Sequence, residues 1–170
     1  MRNIVLVGFM GSGKTTVGKL LATKTGMPLL DMDAMIVKRT GKSINEIFAD
    51  EGEAHFRTLE RTLVQELAAT EGNIISTGGG IVLNPDNIAD FEKTGLVVCL
   101  LADAETVLDR VKQDASRPLL AGDKERKIVE LLESRKHLYG AITHKIDTSG
   151  RLSPEPTARE IIDLYAATNS

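Results

Sequence analysis

The sequence has little of what several classes of protein depend on. Its one cysteine, Cys99, excludes an internal disulfide framework. Aromatic residues make up 4% of the chain and tryptophan is absent, which leaves few platforms on which nucleic-acid bases could stack. Basic residues number 21 and acidic residues 24, so the net charge is -3 and the basic excess of a nucleic-acid binder is missing. We therefore expect no nucleic acid as a partner.

Long hydrophobic runs are also missing. None approaches the roughly 18 apolar residues of a membrane-spanning helix, and the apolar run near the N-terminus is too short for a signal peptide. The three histidines, His55, His137 and His144, lack the spacing of metal ligands. Cys99 lies within an apolar run and is expected to be a buried strand thiol. We expect a reducing, cytoplasmic location and no membrane association.

The 170 residues suffice for one domain with a sizeable core. Apolar runs alternate with amphipathic stretches, a pattern that predicts repeated strand–helix–strand units with a parallel sheet. The predicted strands are residues 4–7, 28–30, 74–77, 96–101 and 142–146. The clearest predicted helices are residues 14–24 and 52–70 and a terminal helix that ends near residue 167.

Several residues predict where helices begin or end. Gly26 is expected to follow the C-terminus of the first helix. Ser43 and Glu46 form a capping-box pattern that starts a short helix. Asn84 and Ser153 each precede a proline, as an N-cap residue does when proline takes the first helical position.

The segment Gly8–Thr15, GFMGSGKT, matches the phosphate-loop pattern G-x-x-x-x-G-K-[ST] between a predicted strand and a predicted helix. Its glycines let the backbone amides surround phosphate oxygens at a helix N-terminus. Lys14 is expected to reach the β- and γ-phosphates, and the Thr15 hydroxyl to ligate Mg²⁺. The motif predicts nucleotide binding, but by itself it does not separate a kinase from a GTPase or a motor.

Asp31 and Asp33 follow the second predicted strand, at the edge where open α/β sheets bind ligands. If the segment is extended, side chains two residues apart point the same way. One carboxylate would then face the metal region and the other an acceptor hydroxyl. The alternative is that Asp33 only caps a helix over residues 34–38.

Three further features concern the acceptor side. Arg57 and Glu60 share a helix face, so the carboxylate would hold the guanidinium for a bound acid, although a solvated surface pair is the alternative. The glycines Gly78–Gly80 follow the third strand and allow close backbone approach and positive φ, or form a bare turn. Arg135 precedes Tyr139 by four residues on a predicted helix.

Taken together, these motifs resemble the shikimate kinase family over nearly the whole chain. The resemblance rests on the phosphate loop, Asp-Met-Asp, Ser-Ile-Asn-Glu-Ile-Phe, Phe-Arg-x-x-Glu, Thr-Gly-Gly-Gly, Arg-Pro-Leu-Leu, Arg-x-x-x-Tyr and Asp-Thr. It implies a three-layer α/β/α P-loop fold with a five-stranded parallel sheet in the order 2-3-1-4-5. It also implies transfer of the γ-phosphoryl group of ATP to the 3-hydroxyl of shikimate, in aromatic amino-acid biosynthesis.

The resemblance also implies residue roles. Lys14, Asp33 and Arg117 would be catalytic, and Thr15 with Asp31 would hold Mg²⁺. Shikimate would be bound by Asp33, Arg57, Gly79, Gly80 and Arg135. ATP would be bound by Gly11, Ser12, Gly13, Lys14, Thr15, Thr16, Arg110, Arg117 and Arg151. Arg151 is the best candidate for the residue that stacks on adenine, since the loop Asp147–Arg151 is one residue longer than the family form.

The expected organisation is a single kinase domain over residues 1–170, with a substrate-binding region at about 32–60. Residues 114–123 lack periodicity and hold Arg117, which predicts a lid over about 112–124 that closes on nucleotide. No exposed apolar stripe is evident, so we expect a monomer.

Two other functions compete with this interpretation. A gluconate kinase on the same scaffold would need the phosphate loop but not the clamp of Arg57 and Arg135. A nucleotide-dependent switch would need a guanine-reading N-K-x-D segment, which the sequence does not contain.

Overall fold

The structure is a computed structural model that describes residues 1–113 and 123–170. Most of the expected lid lies outside the described residues, and so does Arg117.

The described residues contain five strands in one parallel sheet. Their order is β2-β3-β1-β4-β5, as the family resemblance implies. The strands are β1 Asn3–Gly8, β2 Leu29–Asp31, β3 Ile74–Ser76, β4 Gly95–Leu101 and β5 His144–Asp147. The fifth strand begins two residues later than predicted, because the Ile142 amide closes a turn on the Tyr139 carbonyl and its side chain joins the core.

Helices connect the strands. In the described part of the chain they are α1 Lys14–Thr25, α2 Met32–Thr40, α3 Ile44–Glu51, α4 Glu53–Ala68, α5 Pro85–Thr94, α6 Ala104–Gln113, α7 Asp123–Gly140 and α8 Glu155–Thr168, with a short 3₁₀ helix at Ile81–Leu83. None of these helices is both long and apolar enough to cross a bilayer.

The sheet is buried on both faces, which completes the expected three layers. Along β1, Val5 and Val7 face a core built with α2 to α7. Ile4 and Leu6 face a second core built with α1 and α8. An apolar run without polar alternation is therefore required of a central parallel strand.

The predicted helix boundaries are mostly confirmed. The Ser43 hydroxyl accepts from the Glu46 amide at 3.1 Å, and Asn84 caps α5. Gly26 ends α1 at φ 75°, in the left-handed region that favours glycine. At α8, Pro154 takes the N-cap position and Ser153 accepts from the Glu155 amide, so this helix begins one residue later than predicted.

This topology gathers the motifs at one edge. β1 and β3 are neighbours, so the phosphate loop after β1 lies beside the three-glycine turn after β3. β2 flanks β3, with Asp31 level with Ser76, so the acidic motif arrives at the same edge.

Candidate active site

The phosphate loop joins β1 to α1 in the expected way. Gly13 occupies the N-cap position of α1 at φ 99°, a conformation that other residues rarely adopt. Within the described residues, no side chain caps this helix, so its first amides keep their capacity for an anion. Lys14 donates from Nζ to the carbonyl oxygens of Gly8 and Phe9, the latter at 3.0 Å. The ammonium group of Lys14 therefore lies against the phosphate loop, as the motif predicted.

A cavity beside this loop has a mixed polar and apolar lining. The lining residues are Ser12, Gly13, Thr16, Val17, Arg110, Thr148, Arg151, Leu152, Ser153, Pro154 and Thr157. It joins five residues predicted to bind ATP, from three distant parts of the chain, with the fully exposed Leu152, which the sequence had not suggested. This arrangement fits the nucleotide side of the site.

Arg110 connects the phosphate loop to the segment after β5 across this cavity. Its Nη1 donates to the carbonyl of Gly11 and to the hydroxyl of Thr148, both at 3.0 Å. Its Nη2 donates to the carbonyl of Thr148 at 2.8 Å. The guanidinium thus holds the segment after β5 against the phosphate loop.

Arg151 has partners on α8. Its guanidinium donates to the hydroxyl of Thr157 and to the carboxylate of Glu160, both at 2.8 Å. Stacking of Arg151 on adenine stays a prediction, and these two contacts would then fix the plane of its guanidinium.

On the opposite side of the site, Arg57 lies among acidic partners. Its Nη1 donates to Glu60 at 3.0 Å and its Nη2 to Glu53 at 3.3 Å. Glu60 is only 2% exposed, which rules out the alternative of a solvated surface pair. Burial raises the pKa of Glu60, and the charge and hydrogen bond of Arg57 oppose that rise. Glu60 therefore acts as the buried anchor that orients Arg57.

The three-glycine turn needs glycine because neighbouring side chains approach its backbone closely, and not because its backbone conformation is unusual. The expectation of positive φ at Gly78, Gly79 and Gly80 is wrong, since none has it. A methyl group on Gly80 would instead overlap the guanidinium of Arg57, and one on Gly78 would lie 2.9 Å from Oδ1 of Asp33.

Gly79 is the point where the acceptor side meets the phosphate loop. A methyl group there would lie 3.7 Å from Nη1 of Arg135 and 3.7 Å from the amide nitrogen of Met10. The turn thus brings Asp33, Arg57 and Arg135 together next to the phosphate loop, although these residues are far apart in sequence.

The geometry expected for Asp31 and Asp33 needs correction. The segment is not extended across both residues, because β2 ends at Asp31 and α2 begins at Met32. The N-cap is Asp31, whose Oδ1 accepts from the Ala34 amide at 3.0 Å. Asp33 lies in the first helical turn and faces Gly78, so it is not the cap. Because α2 begins between them, Asp31 caps the helix while Asp33 faces the glycine turn.

Thr15 and Asp31 fit the donors that Mg²⁺ uses in nucleotide sites. In the described ranges no cluster of His, Cys, Asp or Glu could hold a metal alone. Mg²⁺ needs none, because it takes one or two protein oxygens and completes its shell with phosphate and water. Asp31 engages one carboxylate oxygen in its cap, and Thr15 is exposed in the first turn of α1.

Two contacts of the site were missed from the sequence. Tyr139 donates its hydroxyl to the carbonyl of Gly79 at 2.6 Å, and Glu53 supplies the second partner of Arg57. The four-residue spacing of Arg135 and Tyr139 could have indicated a shared helix face, but not the contact with Gly79.

Comparison with known proteins adds independent findings. The sequence model of the shikimate kinase family matches residues 10–166. A shikimate kinase of Caldicellulosiruptor bescii is 44% identical over 171 aligned positions, covering 100% of this chain and 99% of that protein.

Solved structures agree. Shikimate kinase from Acinetobacter baumannii, in complex with shikimate, superposes with a TM-score of 0.88 at 37% identity, covering 99% of this chain and 94% of that one. Shikimate kinase from Aquifex aeolicus gives a TM-score of 0.80 at 34% identity, with 98% of each chain covered.

The parallel sheet, the phosphate loop and the adjoining acceptor side define a P-loop kinase of small molecules. Within that class, the match of the family model and the full-length relatives place this chain in the shikimate kinase family.

Proposed function

We propose that this chain transfers the γ-phosphoryl group of ATP to the 3-hydroxyl of shikimate, giving shikimate 3-phosphate and ADP. The observation that carries the proposal is the position of the three-glycine turn. A methyl group on Gly79 would lie 3.7 Å from both the Met10 amide of the phosphate loop and Arg135 Nη1, and methyl groups on Gly80 and Gly78 would lie closer still to Arg57 and Asp33. The site for the phosphates of ATP and the site for a hydroxy acid therefore lie on either side of the same glycine turn.

The acceptor would be held by its charge. Arg57 and Arg135 supply two guanidinium groups, and bidentate pairing with a carboxylate is the geometry that arginine favours. Glu60 neutralises part of this positive charge and fixes Arg57, so the clamp is formed before the substrate arrives. A chain of net charge -3 can bind an anion in this way because the positive charge is local.

The hydroxyl would be aligned by Asp33. Its Oδ1 lies against Gly78, on the same turn that carries the contacts to both arginines. Phosphoryl transfer depends mainly on in-line positioning and on neutralising phosphate charge, so a single carboxylate that orients the hydroxyl suffices.

The phosphates would be held by the amides at the start of α1 and by Lys14. Mg²⁺, held by Thr15 and Asp31, would supply further positive charge at the phosphates when bound. Arg117 lies outside the described residues, and its role as the arginine of the lid stays a prediction. We further propose that the enzyme works as a cytoplasmic monomer.

A coupled assay of ADP release tests the proposed function. The protein is incubated with ATP and Mg²⁺ and with either shikimate or gluconate. We expect ADP release with shikimate only, and loss of nearly all of it in Lys14→Ala, which also excludes a contaminating kinase. Release with gluconate alone would favour the rival sugar-acid kinase, and release with neither substrate would contradict both.

A further inference from the structure

Tyr139 connects two parts of the acceptor side through one hydroxyl. The hydroxyl donates to the carbonyl oxygen of Gly79 at 2.6 Å. Arg135 lies one helical turn earlier on α7, and its positive charge acts to lower the pKa of the same phenol, against the larger effect of burial. The phenol oxygen therefore donates to the glycine turn, and the guanidinium of Arg135 approaches the same turn at Gly79.

The hydrogen bond between Tyr139 and Gly79 lies in the hydrophobic core. Tyr139 is 2% exposed and belongs to the hydrophobic cluster on the α7 face of the sheet. Burial raises the pKa of this phenol to about 12, so the hydroxyl keeps its proton at neutral pH and remains a donor. A buried hydroxyl bonded to the Gly79 carbonyl fixes the position of that peptide, because losing the bond would leave a buried polar group unpaired.

We propose that Tyr139 is a positioning residue for shikimate, which sets the Gly79 peptide and the Arg135 guanidinium at a fixed distance from each other. The inference rests on the proposed function and extends it to a residue that does not itself touch the substrate. Arginine carries large rotamer entropy, so holding Arg135 beside the phenol lowers the cost of ordering it when a carboxylate binds. The benefit belongs to shikimate binding, because Arg135 is part of the acceptor clamp.

The matched pair of variants is Tyr139→Phe and Tyr165→Phe. Each removes one hydroxyl from a tyrosine that donates to a backbone carbonyl, Gly79 at 2.6 Å or Arg2 at 2.7 Å. Tyr165 packs in the second core with α1 and α8, on the other face of the sheet. Each substitution thus removes one hydrogen bond to a backbone carbonyl, and the two differ in their distance from the acceptor clamp.

Steady-state kinetics and thermal melting of both variants give the first test. We expect Tyr139→Phe to raise the KM for shikimate about five- to tenfold, the effect of one hydrogen bond, with the KM for ATP within about twofold of wild type. Tyr165→Phe should leave both constants within about twofold, and the Tm of each variant shows how much of any change is structural. An unchanged KM for shikimate in Tyr139→Phe, or an equal rise in both constants, overturns the proposal.

A double-mutant cycle gives the second test. If Tyr139 acts through Arg135, Tyr139→Phe should raise the KM for shikimate less than about twofold in an Arg135→Ala background. The same five- to tenfold rise in both backgrounds would overturn the proposal. If the wild-type protein does not phosphorylate shikimate, the proposed function itself has failed, and that result is seen before any variant is measured.

Discussion

At the scale of single residues, Arg57 and Arg61 look alike but have different surroundings. They lie one turn apart on α4, and each side chain is 25% exposed. Arg57 pairs with the buried Glu60 and packs against Gly80, within the acceptor side. Arg61 pairs with Asp90 at 2.6 Å and with Asn87 at 3.1 Å, which joins α4 to α5. One guanidinium faces the site and the other holds two helices together.

This difference makes Arg61→Ala a control for Arg57→Ala. Loss of a charge-assisted partner of a carboxylate costs about 1.5–3 kcal/mol, so Arg57→Ala should raise the KM for shikimate about 10- to 100-fold and leave the KM for ATP unchanged. Arg61→Ala should lower Tm without this selective effect. Equal kinetic changes in the two variants would show that Arg57 supports the helix and not the substrate.

Gly80 offers a second test at this scale. Its φ of -91° suits any residue, so the glycine is required by the space that Arg57 occupies. Gly80→Ala should displace the flexible guanidinium and raise the KM for shikimate about tenfold with little change in Tm. Gly140→Ala is the control, because nothing lies within 4 Å of the added methyl group. A Gly80→Ala enzyme with wild-type KM would contradict the close contact.

How far the sequence predicts these residues depends on the range of the interaction. Lys14 and the loop around it follow from a contiguous motif, so their positions were predictable. The role of Asp33 was predicted, but its geometry was not, because Asp31 competes for the same cap and moves the helix start by two residues. The contact of Tyr139 with Gly79 spans 60 residues of sequence and depends on how α7 packs on the sheet.

At the scale of elements, the segment after β5 and the phosphate loop are joined by side chains. Thr148 is 3% exposed, and its hydroxyl donates to the carbonyl of Ser12 at 3.1 Å. Arg110 reaches both segments from α6. The parallel sheet was predictable from the alternation of apolar runs, and its strand order from the family resemblance. This bridge was not, since no local pattern encodes it.

The bridge predicts a nucleotide effect for Arg110→Ala. Without the guanidinium, the segment from Thr148 to Arg151 is no longer held against the loop, so the KM for ATP should rise about tenfold. The KM for shikimate should stay within about twofold. The exposed Arg159 on α8 supplies the control substitution to alanine. A selective effect of Arg110→Ala on shikimate would contradict the assignment of the two sides.

At the scale of the whole molecule, Cys99 reports on the integrity of the sheet. It lies in β4, is 0% exposed and is the only cysteine in the sequence. Burial raises the pKa of its thiol to about 12. Since the pKa is higher in the folded chain than in the unfolded one, the contribution of this group to the free energy of unfolding is present below about pH 9. It is lost as the pH rises towards 12.

Labelling with a thiol reagent at pH 8 checks this description. The folded protein should react far more slowly than the protein in denaturant, because the thiol must be exposed before it ionises. Cys99→Ala serves as the blank. Equal rates with and without denaturant would mean that β4 is not the closed central strand described above.

The identity of the product tests most directly whether the protein phosphorylates the 3-hydroxyl of shikimate. Shikimate, ATP and Mg²⁺ are incubated with the protein, and the product is analysed by phosphorus–proton correlation NMR. We expect one new phosphate ester, coupled to the proton on carbon 3 of the ring, with ADP formed in equal amount. A phosphate on another hydroxyl, or ADP formed without any phosphorylated acid, would contradict it.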